Sequence, residues 1–327
     1  MLEKVSFGHH YLTPYINTIP QALKNIKRKT NRENEMKTGF VPALGTPLDE
    51  KGELLEDSYK KEIEMMIGCG AVGLLSMGSM GIQAFIRNDV CAKVAETAVK
   101  AAAGRVPVYA GCMDNSIGRA KERMAAMEDL DVAAFVFTTP YYEIDTREQI
   151  MKYFTEVAAS TRHGIVLYDL PGVTKQKITY DMVCEMQKKA PNFMGIKSAD
   201  LCMLRHIRLN TEMKDIRTFY SGLDTFDIAY QWGIGNILDG MLPSTPKNTR
   251  KMIEALDAKD HAAAAKYLDN IIAFRDFFVE MDLWPAFSAA MNLLGCEGFF
   301  APDWATPSGP EAVEKIRQKM IEIGELP

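Results

Sequence analysis

Lys197 closes a short apolar run, Gly195-Ile196-Lys197, and Tyr168 closes the run before it, Ile165-Tyr168. An amine and a phenol at the ends of consecutive runs suit carbonyl chemistry through a Schiff base. A lysine drawn into a cavity is desolvated, which favours the neutral amine that attacks a carbonyl. A phenol beside it can pass protons to and from the carbinolamine. Each residue also has an ordinary reading: a strand-end lysine reaching solvent, and a tyrosine capping an apolar core with its hydroxyl in water. Two further stretches carry chemistry-bearing types. In Gly78-Ser79-Met80-Gly81, glycines flank a hydroxyl in a tight turn whose N–H groups can converge on an anion, although a plain strand-to-helix turn has the same composition. In Thr138-Thr139-Pro140-Tyr141-Tyr142, aromatics after a proline commonly pack a subunit contact, and Tyr142 could instead extend a hydroxyl relay.

The elements that must position these residues follow from periodicity. From Thr38 onward the apolar runs are Phe40-Leu44, Val72-Met77, Val106-Ala110, Val132-Phe137, Ile165-Tyr168, Phe193-Lys197, Ile216-Tyr220 and Ile237-Leu242. They are nearly unbroken, not alternating, as parallel strands buried on both faces should be. Helix-period stretches separate them: Leu55-Ile67, Asp89-Ala103, Ile117-Met127, Arg147-Ser160, Tyr180-Lys189 and Leu223-Trp232, with Lys247-Leu256 after the last run. Eight strands alternating with helices predict a (β/α)8 barrel, whose catalytic side chains sit at the C-terminal ends of the strands. A doubly wound sheet is the second choice, because no GxGxxG turn follows the first strand. The expected organisation is an N-terminal extension (1–35), the barrel (36–257) and a C-terminal helical appendage packed on the barrel (258–327). The appendage comprises His261-Phe278, Trp284-Leu294 and Pro310-Ile323.

Composition narrows the class. The chain has 327 residues, 47% hydrophobic and 25% charged, with a net charge of -5, which is ordinary globular material with ample core. The main body carries no long basic run, so nucleic acid is not an expected partner. The longest apolar stretches, Ala71-Leu75 and Val132-Phe137, are far too short to span a membrane. Six cysteines without CxxC spacing and no apolar leader predict a reduced, cytoplasmic protein. The five histidines show no ligand spacing apart from the pair His9-His10, so no metal site is expected, and the twenty methionines read as core filler. Residues 1–35 stand apart, with Pro14, Pro20 and a basic cluster at Lys24, Lys27, Arg28, Lys29 and Arg32. Glu3, Glu33 and Glu35 weaken a transit-peptide reading. A surface arm, a subunit-contacting helix and an over-extended start remain open.

With these motifs in order, the chain resembles the dihydrodipicolinate synthase / N-acetylneuraminate lyase family of Schiff-base aldolases from Met36 to about Phe300. Gly78-Ser79-Met80-Gly81 is similar to the family's GTTGE or GSTGE loop, and Thr139-Pro140-Tyr141-Tyr142 to its TPYY element. Tyr168-Asp169-Leu170-Pro171 resembles YNxP, Gly195-Ile196-Lys197 resembles GIK, and Ser221-Gly222-Leu223-Asp224 resembles the SGDD turn. The intervals between motifs match, with about one extra residue between Tyr168 and Lys197. The resemblance implies a barrel with C-terminal helices in a homotetramer. It implies Lys197 as the nucleophile toward pyruvate or another 2-oxo acid, and Tyr168 as proton donor and acceptor. Ser79, with the Ser79 and Met80 amides beside Gly78, would hold the substrate carboxylate. Tyr142 would be supplied to a neighbouring subunit's site. No cofactor is implied beyond the covalent Schiff base on Lys197.

The departures redirect the reading. Met80 replaces a loop threonine, Ile82 stands at the loop's glutamate position, and Asp169 replaces the asparagine of YNxP. Val173 falls where the synthase carries an arginine for the carboxylate of its second substrate, and a valine makes no ion pair. The lysine-biosynthetic reaction is therefore disfavoured, and Val173 is more similar to the lyase and keto-deoxy-sugar-acid branches. Gly222, Val173 and Asp169 are expected to line the substrate site. Lys175, Asp169 and Asp239 could bind hydroxyls of a sugar acid, or be surface and supporting charges. The expected activity is a pyruvate-forming aldolase. The alternatives are a synthase or dehydratase on the same lysine chemistry, an oxo-acid-binding barrel without turnover, and an interaction protein working through residues 1–35.

Overall fold

The computed structural model describes residues 37–327, so the expectations for residues 1–35 lie outside the described region. Eight strands appear where the apolar runs predict them: β1 Gly39–Pro42, β2 Leu74–Ser76, β3 Val108–Gly111, β4 Ala134–Thr138, β5 Gly164–Tyr168, β6 Phe193–Ser198, β7 Arg217–Tyr220 and β8 Asn236–Asp239. All pair in parallel in the order β1-β8-β7-β6-β5-β4-β3-β2. A single bridge between Ala43 and Leu75 joins β1 to β2 and brings the sheet round into a barrel. The strands are short and buried on both faces because side chains fill the lumen as well as the outer wall. Tyr109 on β3 and Phe219 on β7 belong to non-adjacent strands yet meet edge to face at 5.3 Å, packing the lumen.

Helices alternate with the strands: α1 Glu56–Gly68, α2 Asn88–Ala102, α3 Ile117–Ala125, α4 Arg147–Ala158, a one-turn α5 Pro171–Thr174, α6 Tyr180–Lys189, α7 Leu201–Leu209, α8 Phe226–Gln231 and α9 Pro246–Asp257. Then come α10 His261–Met281, α11 Leu283–Leu293 and α12 Pro310–Glu322. The expected strand Ile237-Leu242 stops at Asp239, where Gly240 and Pro243 turn the chain into a 3-10 segment, Leu242–Ser244. The stretch from Leu223 likewise opens as a 3-10 turn, Leu223–Thr225, before α8 begins. Helix α7 was not among the helical stretches read from periodicity, although Asp200 caps it by accepting from the Met203 N–H at 2.9 Å. The C-terminal region shares the barrel's hydrophobic core through Phe274 and Phe278 on α10, Phe287 on α11, and Phe300 in the segment that follows α11. Glu325 accepts hydrogen bonds from the Lys247 and Asn248 N–H groups at 3.0 and 2.8 Å, satisfying the first turn of α9 from the far end of the chain.

Helix α1 buries Tyr59, Glu62, Ile63 and Met66, a spacing of one helical face. Glu62 is the anomaly in this stripe. Its Oε1 accepts from the Gly45 N–H at 2.8 Å, while Oε2 is buried without a partner. Burial pushes the carboxyl from 4.5 up to about 8, against the pull of the Gly45 N–H. The folded state therefore keeps a proton that the unfolded chain has released in this window. Stability from this group is complete below the unfolded value and is lost as pH rises toward the folded one, at up to about 1.4 kcal/mol per pH unit. Glu62→Gln removes the titration and should gain on the unsubstituted protein as the buffer is raised from about pH 5 to about pH 8. Urea midpoints for both proteins across that range check this; a constant difference between them refutes it.

Candidate active site

Strands β5 and β6 bring the amine and the phenol together through an irregularity. Ile165 pairs with Phe193, but the next pair is Val166 with Gly195, so Met194 is an extra residue in β6. The shift sets Lys197 beside Tyr168; an unbroken ladder would have put Ile196 there. Two glycines permit it. A Cβ on Gly164 would lie 2.5 Å from Met194 Cε, and a Cβ on Gly195 would lie 2.5 Å from the Arg217 carbonyl oxygen of β7. The first leaves space for the bulged side chain, and the second lets β6 close on β7.

Lys197 and Tyr168 are each only 5% exposed, yet Lys197 Nζ stands 3.6 Å from the centroid of the Tyr168 ring. That distance lies within cation–π range. Among the described residues Nζ makes no hydrogen bond or ion pair, and neither does the Tyr168 hydroxyl. Both groups keep their hydrogen-bonding capacity for a ligand. Asp239, ending β8, lies within electrostatic reach of this amine. Burial pushes its carboxyl up, against the Met241 N–H, which it accepts at 2.8 Å, and the positive charge of Lys197.

The loop after β2 carries concentrated backbone strain. Met77 and Ile82, on either side of Gly78-Ser79-Met80-Gly81, both occupy the left-handed region, at φ 56° and 49°. Left-handed backbone is costly for an isoleucine and persists where the surroundings over-determine it. The turn is held by Ile82 N–H to Ser79 O at 3.0 Å, Gln83 N–H to Gly78 O at 3.3 Å and Thr46 Oγ1 to Gly81 O at 2.8 Å. Among the described residues neither the Ser79 nor the Met80 N–H has a protein acceptor, and the exposed Ser79 hydroxyl has no partner. Met80 is buried, and its Cβ lies 2.8 Å from where a Cβ on Gly240 would be. It fills the space between this loop and the end of β8 with apolar packing.

The other expected site residues are distributed differently. Tyr142 is 83% exposed, and no hydrogen bond joins its hydroxyl to Ser79 or Tyr168 among the described residues. Its loop is fixed by Asn115, whose Oδ1 accepts from the Tyr141 and Tyr142 N–H groups at 2.7 and 3.0 Å. Asn115 was not singled out from the sequence, since a lone asparagine 26 residues upstream gives no local signal. Val173 is 61% exposed on the one-turn α5. Lys175 is exposed too, and its Nζ donates to the Gly172 carbonyl at 2.7 Å. Gly222 leaves room for the Tyr220 hydroxyl, which pairs with Thr225 Oγ1. Asp169 corrects the expectation of a substrate-binding carboxylate. Its side chain is 1% exposed, and both oxygens are occupied by protein donors: Ile178 N–H on Oδ1, Lys177 Nζ and Ser198 Oγ on Oδ2. The Asp169 N–H still donates to the Lys197 carbonyl at 2.8 Å, so extended pairing runs one residue past Tyr168, and consecutive side chains of an extended chain point to opposite faces. No group of His, Cys, Asp and Glu among the described residues is arranged to hold a metal ion. No helix among them is long and apolar enough to cross a membrane.

Comparison with known proteins agrees with this architecture. The chain is 32% identical over 241 residues to a 4-hydroxy-tetrahydrodipicolinate synthase of Psychromonas ingrahamii, covering 73% of this chain and 81% of that protein. It is 29% identical over 290 residues to the synthase of Nitrosospira multiformis, covering 88% and 95%. In fold it superposes on the N-acetylneuraminate lyase of Proteus mirabilis with a TM-score of 0.81 at 20% identity, covering 89% of this chain and all of that one (100%). A prophage protein of the dihydrodipicolinic acid synthase family from E. coli K12, solved with pyruvate, matches with a TM-score of 0.77 at 20% identity, over 88% and 98%. The model of the dihydrodipicolinate synthetase family matches residues 36–323, and the chain is a member of that family.

Proposed function

We propose that the protein is a class I aldolase that cleaves a 2-oxo acid to pyruvate and an aldehyde, or condenses them, through a Schiff base on Lys197. The observation that carries this reading is the buried amine 3.6 Å above the Tyr168 ring, at the ends of adjacent strands. Lys197 Nζ adds to the C2 carbonyl; the carbinolamine loses water, with a proton supplied by Tyr168, and leaves an iminium. The Tyr168 oxygen then takes the proton of the C4 hydroxyl. The C3–C4 bond breaks with its electron pair drawn into the iminium, giving an aldehyde and an enamine. A proton added at C3 and hydrolysis of the iminium release pyruvate and the free amine. The unpartnered N–H groups of Ser79 and Met80 suit the substrate carboxylate. Exposed Tyr142 suits a residue lent to a neighbouring subunit of a homotetramer.

Val173 favours cleavage of a keto-deoxy sugar acid over condensation with an amino-acid aldehyde. An exposed valine offers no bidentate partner to a second carboxylate. The test is borohydride reduction in the presence of saturating pyruvate, with peptide mapping by mass spectrometry. A reduced pyruvate adduct on the Lys197 peptide is expected, and its absence defeats the mechanism. Pyruvate release from a panel of 2-keto-3-deoxy acids and sialic acid then identifies the aldehyde half.

A further inference from the structure

Asp169 and Ser198 directly follow the two reacting residues, and the structure joins them. Asp169 Oδ2 accepts from Ser198 Oγ at 2.7 Å, while the Asp169 N–H donates to the Lys197 carbonyl at 2.8 Å. The same Oδ2 accepts from Lys177 Nζ at 2.9 Å, and Lys177 reaches on to Asp200 Oδ2 at 3.0 Å. The Asp200 N–H closes the circuit by donating to Ser198 Oγ at 3.0 Å. Asp169, Ser198, Asp200 and Lys177 thus form a closed ring, with Asp169 Oδ1 tied outside it to the Ile178 N–H at 2.9 Å. Asp169 and Ser198 are buried, where such bonds are strong and a broken one is costly. Burial alone would lower the pKa of Lys177, but its bonds to Asp169 and Asp200 outweigh this and hold it above its usual value.

The ring does something the strand ladder cannot. Parallel pairing fixes the Cα atoms of Tyr168 and Lys197, but strand ends fray, and β6 already carries a bulge three residues upstream of the lysine. A side-chain tie one residue beyond both reacting groups removes that freedom. It must accept three donors at once, which a carboxylate does and an amide oxygen with a single acceptor atom does not. Resting on the Schiff-base reading above, we infer that Asp169 is a positioning residue, whose tie to Ser198, with Lys177 balancing its charge, holds Lys197 Nζ over the Tyr168 ring in attacking geometry.

The experiment compares the unsubstituted protein with Asp169→Ala, Ser198→Ala and the double variant Asp169→Asn/Lys177→Met. In the double variant the asparagine Oδ1 keeps the Ile178 N–H bond and its Nδ2 donates to Ser198 Oγ, so the tie between the two strands survives with its direction reversed and with no unpaired cation beside it. The readouts are the rate of borohydride-trapped adduct with pyruvate, kcat and KM for pyruvate release, thermal midpoint, and the rate at which trinitrobenzenesulfonate labels Lys197 without substrate. Asp169→Ala is expected to slow trapping and kcat by roughly 10- to 100-fold, the cost of a misplacement on the order of an ångström, with a smaller change in KM. Lys197 labelling should become several-fold faster as the amine leaves the ring face. Ser198→Ala should shift both rates in the same direction by less, and the double variant should recover most of the trapping rate. Unchanged trapping and labelling in folded Asp169→Ala overturns the inference. So does a double variant that regains thermal stability but not the trapping rate. If the unsubstituted protein forms no pyruvate adduct, the Schiff-base reading fails instead, and the labelling rates still decide whether Asp169 positions the amine.

Discussion

Lys197→Arg is expected to release no measurable pyruvate and to form no borohydride-stable adduct, a loss of roughly 10⁴-fold or more in turnover. Arginine separates charge from nucleophilicity. Its guanidinium keeps the positive charge and can still stack on the Tyr168 ring, but it stays protonated and adds to no carbonyl. An electrostatic role for Lys197, in binding an oxo-acid carboxylate, would survive this substitution with a modest rise in KM. A covalent role would not. The site should tolerate the loss of the amine, because Nζ has no hydrogen bond to lose among the described residues. The measurements are pyruvate release by a coupled assay and mass spectrometry after reduction. Residual turnover within about 100-fold of the unsubstituted enzyme would show that the amine acts by charge alone.

Tyr168→Phe carries the second largest effect, a fall in kcat of about 10²–10⁴-fold. The substitution is unusually clean. The hydroxyl has no protein partner among the described residues, so its loss leaves no buried group unsatisfied, and the remaining ring still faces Nζ at the same position. The thermal midpoint should therefore hold while proton transfer fails. Adduct formation with pyruvate should slow without being abolished, since water can carry the proton less efficiently. Cleavage should suffer more, because abstraction of the C4 hydroxyl proton accompanies rupture of the carbon–carbon bond. If both steps proceed at normal rates, another group is the base, and Asp239, which ends β8 within electrostatic reach of Lys197, is a titratable candidate at the strand ends.

Much of the fold was legible because buried parallel strands announce themselves as unbroken apolar runs. Each of the eight strands overlaps the run that predicted it, and the helical stretches that were singled out recur within a few residues. What escaped detection was α7, whose buried Met203, Leu204 and Ile207 make a narrow stripe among arginines and a histidine. The amine–phenol pair was legible as well, since each residue closes its apolar run, Tyr168 as the last residue of β5 and Lys197 one before the last of β6. The surroundings were less so. Asp169 read as a cavity acid, but its environment depends on Lys177, Ser198 and Asp200, three positions without a common period. Glu62 looked like any polar residue of an amphipathic helix, and only packing shows that it lies on the buried face.

By itself, then, the sequence determined the barrel, the order of its strands, and the placing of Tyr168 at the end of β5 and Lys197 one residue before the end of β6, because hydrophobic periodicity and strand termini are local properties. The register of those two strands was decided only in three dimensions. One bulged residue, Met194, accommodated over Gly164, moves β6 by a single step. Side chains alternate faces along a strand, so that step separates a lysine beside the tyrosine from an isoleucine in its place. No pattern within either strand encodes it, because register is a property of the pair.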